Sequence, residues 1–192
     1  MVEKFQDQFR VPSARLKNWD YGKNGAYFIT ICIHNKEFLF GEVVEKNNHA
    51  KFKANKLGEL AEIYWLEIVK QFPYVELGNF VIMPNHVHGI LIINKPVETR
   101  FIASLLNTSS SSSGVIPDNK NPMLNNSISR IIRWYKGRCS FEIRKIKKEF
   151  SWQSRFYEHI IKDSESFEKI QDYILKNPQT WKEDKYYKPP SS

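Results

Sequence analysis

Two histidines separated by a single residue are the sharpest chemical feature of this 192-residue sequence. His86 and His88 lie at residues 83–89, which read MPNHVHG. If this segment forms a strand, both imidazoles point to the same face, because side chains alternate along a strand. Two neutral imidazoles on one face can hold a divalent metal ion when a further ligand joins them. The alternative is a structural pair that hydrogen-bonds to backbone groups at the end of a sheet.

A tyrosine and an asparagine near the C-terminus form the second feature. Tyr173 and Asn177 are four residues apart on a predicted helix, so they share one helix face. A tyrosine can attack a phosphodiester and form a covalent phosphotyrosine bond. A metal ion held by two histidines and an amide oxygen would neutralise the phosphate, and Mg²⁺ or Mn²⁺ suits this task. Alternatively, Tyr173 packs against neighbouring isoleucines and Asn177 only ends the helix.

Basic residues exceed acidic ones, with 29 Lys and Arg against 21 Asp and Glu and a formal net charge of +8. The excess is concentrated at residues 130–162, which contain ten basic residues and three acidic residues. Aromatic residues are interleaved with these cations, namely Trp134, Tyr135, Trp152, Phe156 and Tyr157. Cations for phosphates beside rings for unpaired bases are typical of proteins that bind single-stranded nucleic acid. The alternative is a solvated basic surface.

Hydrophobic periodicity predicts an α+β protein with one antiparallel sheet. Runs rich in β-branched and aromatic residues predict strands at 26–34, 37–44, 77–83 and 87–93, and a short extended segment at 151–157. Apolar residues at helical spacing predict helices at about 55–71 and 127–146, and a last helix that is capped by Asp163 or Ser164 and stopped by Pro178. Strands in adjacent pairs with helices between them predict a sandwich with helices on one face of the sheet. The last helix carries Tyr173.

The chain divides into an N-terminal arm at residues 1–24, a single domain at 25–181 and a polar tail at 182–192 that we expect to fray. The serine-rich stretch at 108–122 predicts a flexible insertion within the domain. These boundaries follow from shifts in composition along the chain.

Several classes of protein are disfavoured by the composition. No apolar run is long enough to span a membrane, and the N-terminus lacks the apolar segment of a secretory signal. The two cysteines have no CxxC spacing, which argues against a zinc–cysteine site or a disulfide framework and fits a reducing cytoplasm. No glycine-rich phosphate loop is present, so ATP-driven chemistry is not supported. We therefore expect a cytoplasmic protein.

Several blocks of the sequence resemble the HUH single-tyrosine transposases, and most of all the REP-associated tyrosine transposases. The blocks are RLKNWDY at 15–21, GAYFITICIH at 25–34, FLFGEV at 38–43, FVIMPNHVHGILI at 80–92, WQSRFYEHII at 152–161 and IQDYILKNPQTW at 170–181. They resemble successive blocks of that family and cover most of the chain, although the resemblance lapses at 108–122. Several blocks in the right order are much more specific than a His-x-His pair alone.

The resemblance implies a ferredoxin-like domain that cuts and rejoins single-stranded DNA. His86 and His88 match the paired metal histidines of the family, and Tyr173 matches its nucleophile. Asn177 matches the third ligand position, where related transposases often carry glutamine. The implied reaction uses Mg²⁺ or Mn²⁺ and leaves a 5′-phosphotyrosine link and a free 3′-hydroxyl. The implied partner is DNA with a palindromic hairpin, bound by a monomer or a homodimer in the bacterial nucleoid.

The basic segment is predicted to contact this DNA. We expect phosphates to be held by Arg130, Arg133, Lys136 and Arg138. We expect unpaired bases to contact Trp152 and Arg155.

Two alternatives to this interpretation stay open at the level of sequence. Tyr157 lies in the basic segment and competes with Tyr173 as the nucleophile, whereas Tyr187 lies in the polar tail with nothing to position it. The same scaffold could also serve as a non-catalytic protein that binds hairpin DNA or RNA. Rolling-circle initiators and relaxases share the chemistry, but they usually bring a helicase domain or a second tyrosine.

Overall fold

The computed structural model describes residues 4–5, 8–9, 24–46, 49–95 and 127–187. The predicted insertion at 108–122 lies outside the described residues, as does most of the predicted arm at 1–24. Near the N-terminus, Lys4–Phe5 (β1) and Gln8–Phe9 (β2) pair with each other and form a separate two-stranded sheet.

A four-stranded antiparallel sheet forms the centre of the fold. Its strands are Gly25–Cys32 (β3), Val75–Met83 (β6), His86–Ile93 (β7) and Tyr157–Ile161 (β8), in the spatial order β6-β7-β3-β8. Two further strands, Gly41–Lys46 (β4) and His49–Ala54 (β5), form an antiparallel hairpin outside this sheet.

Four α-helices accompany the sheet in the described part of the chain. They are Lys56–Leu66 (α1), Ile68–Gln71 (α2), Ile128–Ile143 (α3) and Ser164–Lys176 (α4). Each helical connection, from β3 to β6 and from β7 to β8, skips one strand of the sheet. This β-α-β-β-α-β order is the ferredoxin-like arrangement, so the predicted fold class is confirmed. Within the described ranges, no helix is long and apolar enough to cross a membrane.

Side chains of β3 alternate between two layers of the core. Tyr27, Ile29 and Ile31 are fully buried and share a hydrophobic core with residues of α1 and α3. Ala26 and Phe28 belong to a second core that includes residues of α4. Helices α1 and α3 therefore cover one face of the sheet, and α4, which carries the predicted nucleophile, covers the other. The prediction of helices on one face holds for α1 and α3 and is wrong for α4.

The last helix lies close to its predicted position. The side chain of Asp163 accepts a hydrogen bond from the backbone N–H of Ser166 at 2.7 Å and caps the first turn. The helix ends at Lys176, shortly before Pro178. Its apolar stripe packs on the sheet through Phe167, Ile170 and Ile174. Helix α4 thereby packs on the sheet that contains β7, the strand of His86 and His88.

Two predicted strands differ from the observed ones. The segment predicted at 37–44 begins as a strand only at Gly41, and it pairs with β5 in place of the main sheet. Gly41 has a φ of 141°, and a Cβ there would lie 2.2 Å from the carbonyl oxygen of Lys53, so the start of the hairpin requires glycine. The last strand of the sheet begins at Tyr157, where the extended segment predicted at 151–157 ends.

Candidate functional site

The start of β7 carries the two histidines. His86 and His88 are fully buried and lie opposite Cys32 and Thr30 of β3. The ring of His88 stacks on Phe28 at 5.2 Å, on the face of the sheet that α4 covers. The ring centroids of the two histidines are 4.3 Å apart. The prediction that both imidazoles share one face is confirmed.

The glycine after the pair allows a close approach on the other face of the strand. A Cβ at Gly89 would lie 2.2 Å from Cζ2 of Trp65, so the indole packs directly on the β7 backbone. Trp65 belongs to α1 and is fully buried. The strand that presents the histidines is therefore enclosed between helices α1 and α4.

Hydrogen bonds decide which nitrogen of His86 carries the proton. The amide nitrogen of Asn85 donates to the carbonyl oxygens of Lys36 at 3.1 Å and Tyr186 at 2.8 Å. The Asn85 Oδ1 atom therefore accepts a hydrogen bond from His86 Nδ1 at 2.8 Å. Nε2 of His86 keeps its lone pair, and this buried atom has no partner among the described residues. This is the form in which a histidine binds a metal ion.

His88 has a neighbour at each ring nitrogen. Its Nδ1 atom lies 2.8 Å from the hydroxyl oxygen of Thr30, and its Nε2 atom lies 3.2 Å from the hydroxyl oxygen of Tyr173. When Thr30 accepts the proton of Nδ1, the lone pair of His88 is on Nε2. When Thr30 instead donates to Nδ1, the proton of His88 is on Nε2, because a hydroxyl can donate or accept.

Helix α4 brings Tyr173 and Asn177 to the same site. The side chain of Tyr173 is 39% exposed, and its ring packs edge-on against Phe28. Asn177 is fully buried, and its amide nitrogen donates to Asp184 Oδ2 at 2.8 Å. Its Oδ1 atom is buried without a partner in the described part of the chain. The structure brings together the predicted nucleophile and the three predicted metal ligands.

Asp184 also belongs to the site, although the sequence places it in the polar tail. Its carboxylate accepts hydrogen bonds from the Tyr173 hydroxyl at 3.1 Å and from the backbone N–H of Tyr186 at 2.7 Å. The ring of Tyr186 lies over His86, with their centroids 4.8 Å apart. These contacts close the site on the side of the C-terminal segment.

Aromatic packing holds this segment against the domain. Trp181 is buried and packs against Phe38, and Tyr187 contacts both rings. The expectation that the chain frays after residue 181 is therefore wrong for residues 182–187. The aromatic density of WKEDKYY at 181–187 is the signal in the sequence that indicates a packed segment.

Burial sets the protonation states of the site. Burial, assisted by two nearby lysines, lowers the pKa of His86 to about 3. Burial and the neighbouring His86 lower the pKa of His88. Both imidazoles are therefore neutral at pH 7 and can donate lone pairs. Burial and the Asp184 carboxylate raise the pKa of Tyr173 above its usual value, so its hydroxyl carries a proton at pH 7.

These side chains fit a divalent metal ion. Ligand atoms of His86, His88 and Asp184 all lie within 4.8 Å of one another. Nε2 of His86 and Oδ1 of Asn177 add two buried acceptor atoms without partners among the described residues. Imidazole nitrogens together with amide and carboxylate oxygens form a donor set that accepts a divalent cation. Asp184 is the ligand candidate that the sequence did not indicate.

A relative covers nearly the whole chain. An uncharacterized protein of Haemophilus influenzae (strain ATCC 51907 / DSM 11121 / KW20 / Rd) is 36% identical over 176 residues, which are 91% of this chain and 92% of that protein. The chain belongs to the family of this Haemophilus influenzae protein. No model of a known protein family matches it.

A solved structure shares the fold of this protein. The REP-associated tyrosine transposase bound to a REP hairpin aligns over 86% of this chain and 73% of its own, with a TM-score of 0.55 and 18% identity. A Deinococcus radiodurans protein aligns with a TM-score of 0.41 at 13% identity, which is too weak to bear on the fold. The protein described here has an HUH tyrosine transposase-like fold. The resemblance seen in the sequence is therefore confirmed for the fold.

Three of the residues predicted to hold DNA phosphates lie on the exposed side of α3. Arg130, Arg133 and Arg138 are exposed on this helix, which packs on the face of the sheet opposite α4. The guanidinium of Arg138 lies over the ring of Tyr64, 5.2 Å from its centroid. The exposed arginines of α3 and the histidine pair therefore occupy different layers of the molecule.

The remaining predicted DNA contacts lie near the end of β3. The ammonium group of Lys136 donates to the carbonyl oxygens of Gln153 and Arg155. The side chain of Arg155 itself is exposed. Trp152 is only 8% exposed, packs against Tyr135 and donates its indole N–H to the carbonyl oxygen of Lys136 at 3.2 Å. The prediction that Trp152 contacts unpaired bases does not fit this burial.

Tyr157, the competing tyrosine, lies beside the site. It is 43% exposed on the edge strand β8, opposite Thr30, and its ring contacts Phe28 edge-on at 6.4 Å. The contact of Tyr173 is different, because its hydroxyl oxygen lies 3.2 Å from Nε2 of His88. Among the described residues, no such contact joins Tyr157 to the histidine pair.

Proposed function

We propose that this protein is a metal-dependent transposase that cuts and rejoins single-stranded DNA through Tyr173. One observation carries the proposal: the Tyr173 hydroxyl lies 3.2 Å from Nε2 of His88. Beside it is Nε2 of His86, a buried atom that has no hydrogen-bond partner among the described residues. A nucleophile that touches a metal-binding nitrogen is well placed to attack a group polarised by the metal ion. The fold shared with a REP-associated tyrosine transposase supports this function.

The metal ligands in this proposal are His86, His88 and Asn177, with the carboxylate of Asp184 close by. Bound Mg²⁺ or Mn²⁺ would neutralise the negative charge of the scissile phosphate and orient it. The neutral imidazoles need lose no proton to bind a cation, because burial lowers their pKa values. The buried amide oxygen of Asn177 supplies a hard donor beside them.

Tyr173 supplies the nucleophile. Its oxygen forms a bond to phosphorus and gives up its proton, while the bond between phosphorus and the 3′-oxygen breaks and that oxygen takes up a proton. The products are a 5′-phosphotyrosine link and a free 3′-hydroxyl. Because the energy of the phosphodiester is kept in the phosphotyrosine bond, rejoining by a 3′-hydroxyl needs no ATP.

The proposed substrate is single-stranded DNA that folds into a hairpin. The transposase that shares the fold was solved bound to a REP hairpin. In this chain, the exposed Arg130, Arg133 and Arg138 would hold phosphates, with Lys136 and Arg155 near the end of β3. We propose that the protein acts as a monomer or homodimer in the bacterial cytoplasm, associated with the nucleoid.

A cleavage assay tests this function. The substrates are labelled single-stranded oligonucleotides that carry the palindromes flanking the gene, incubated with Mn²⁺ or Mg²⁺. We expect a covalent protein–DNA adduct with the wild-type protein and with the matched control Tyr157→Phe. Tyr173→Phe is expected to form no adduct, because phenylalanine lacks the attacking oxygen. A chelator should also abolish the adduct.

Two other results would contradict the proposal. An adduct that survives in Tyr173→Phe and disappears in Tyr157→Phe would assign the nucleophile to Tyr157. Tight binding of the hairpin without any adduct, whichever metal ion is supplied, would instead support a non-catalytic protein that binds hairpin DNA or RNA.

A further inference from the structure

We infer that Asp184 is a positioning residue that keeps the nucleophile and the metal ion from competing for the same lone pair. The inference rests on the proposed function and assigns a role to the segment after α4. Asp184 follows the short 3-10 helix Trp181–Glu183, and its backbone N–H donates to the carbonyl oxygen of Trp181 at 3.1 Å. The buried indole of Trp181 therefore fixes where the carboxylate lies.

Three donors converge on this carboxylate. Oδ2 accepts from the Tyr173 hydroxyl at 3.1 Å and from the amide nitrogen of Asn177 at 2.8 Å. Oδ1 accepts from the backbone N–H of Tyr186 at 2.7 Å. An ionised carboxylate is an acceptor on both oxygens, so it can satisfy all three donors at once. Asparagine, which has the same shape, offers only one acceptor oxygen and cannot accept from all three donors in this arrangement.

The first consequence concerns the amide of Asn177. Because its nitrogen donates to Asp184, its oxygen is left as the buried atom without a partner among the described residues. The flipped amide would set this oxygen against the carboxylate, which is repulsive. Asp184 therefore makes the oxygen of Asn177, and not its nitrogen, the atom available to a cation.

The second consequence concerns the single proton of the Tyr173 hydroxyl. Two acceptors compete for it at nearly equal distance: Nε2 of His88 at 3.2 Å and Oδ2 of Asp184 at 3.1 Å. A proton donated to His88 would occupy the lone pair that a metal ion needs. Asp184 offers a charged acceptor, which binds a donor more strongly than a neutral nitrogen does. With Thr30 accepting the proton of Nδ1, this leaves the lone pair of His88 Nε2 open to a metal ion.

The same segment also reaches His86. The carbonyl oxygen of Tyr186 accepts from the amide nitrogen of Asn85 at 2.8 Å, and this amide in turn orients His86. The residues around Asp184 thus act on all three proposed ligands, although Asp184 itself is placed to act through Tyr173 and Asn177. We describe it as a positioning residue for this reason.

A cycle of variants tests the inference through metal binding, which requires no DNA. Mn²⁺ affinity is measured by calorimetry for the wild-type protein, Asp184→Ala, Tyr173→Phe and the double variant. We expect Asp184→Ala to weaken Mn²⁺ binding by about 10- to 100-fold, as loss of a partner of the ligands does. In the double variant no tyrosine hydroxyl competes for His88. We therefore expect it to bind Mn²⁺ about 3- to 10-fold more tightly than Asp184→Ala does, which is the free energy of one hydrogen bond.

Controls separate positioning from a general loss of charge or structure. Glu183→Ala removes the neighbouring exposed acid and should leave Mn²⁺ affinity unchanged. Asp184→Asn, which keeps the shape of the side chain and one acceptor oxygen, is measured in parallel and should show a smaller loss than Asp184→Ala. Thermal melting of each variant reports whether the domain remains folded.

The outcomes separate the inference from the proposed function. If Asp184→Ala binds Mn²⁺ as the wild type does, or if Tyr173→Phe restores nothing, the positioning role is overturned. The second result would mark Asp184 as a direct ligand or a structural residue. If the wild-type protein binds no Mn²⁺ and forms no adduct, the proposed function itself fails, and the inference fails with it.

Discussion

The two halves of the site are held by different kinds of structure. His86 and His88 lie within a strand that is paired on both sides and fully buried. Tyr173 and Asp184 lie on a helix and on the segment after it, are partly exposed, and are held together by side-chain hydrogen bonds. In the proposed reaction the metal ligands must stay fixed, whereas the nucleophile must admit a DNA strand and carry it. The difference in structure matches this difference in task.

The largest loss is expected in the rigid half. His88→Ala removes one proposed ligand nitrogen, together with the ring that the hydroxyls of Thr30 and Tyr173 contact. We expect Mn²⁺ affinity, measured by calorimetry, to fall by more than about 100-fold. This loss exceeds the one caused by removing a residue that only orients a ligand. His159→Ala, an exposed histidine on β8, is the matched control. Equal affinities in the two variants would mean that the cation binds elsewhere.

A smaller effect is expected from the packing behind the histidines. Gly89→Ala would set a Cβ 2.2 Å from Trp65, and we expect it to lower the free energy of unfolding by about 1–3 kcal/mol, the usual cost of overpacking. The control is Gly137→Ala on α3, where nothing lies within 4 Å of the new Cβ. That change should stabilise the helix by roughly 0.5–1 kcal/mol. Chemical denaturation measures the free energy of unfolding of both variants. Equal values for Gly89→Ala and Gly137→Ala would contradict the close packing of Trp65 on Gly89.

The smallest effect is expected on the far face of the sheet. Arg130→Ala combined with Arg133→Ala removes two exposed cations of α3, so hairpin binding should weaken and the slope of log affinity against log salt should flatten by about two. Lys169→Ala, on the exposed side of α4, serves as the control because its ammonium pairs with Glu165. An unchanged slope in the arginine variant would exclude α3 as the phosphate-binding surface.

Local patterns were enough to predict much of the fold and half of the site. The apolar residues of 87–93 predict a strand, and side chains that alternate along a strand place both imidazoles on one face. The stripe formed by Phe167, Ile170 and Ile174 predicts α4 and its packing, which carries Tyr173 to the sheet. These predictions succeed because each depends on a repeat of two or 3.6 residues that is written locally in the sequence.

The parts that were missed depend on contacts between distant residues. Asn85 bonds to the backbone of Tyr186 from 101 positions away, and no local pattern indicates that the polar tail returns to the histidines. Trp152 reads as a ring available to a base, but tertiary packing buries it beside Tyr135. The hairpin of β4 and β5 is half-exposed and rich in lysine and glutamate, so its strands lack a strong apolar signal.

Anomalous diffraction from crystals of the protein soaked in Mn²⁺ tests the central claim, that both halves build one metal–nucleophile site. We expect a single strong peak within bonding distance of Nε2 of His86, Nε2 of His88 and Oδ1 of Asn177, with the hydroxyl of Tyr173 beside it. A peak remote from the histidine pair, or histidines that keep their present hydrogen bonds with no peak between them, would contradict it.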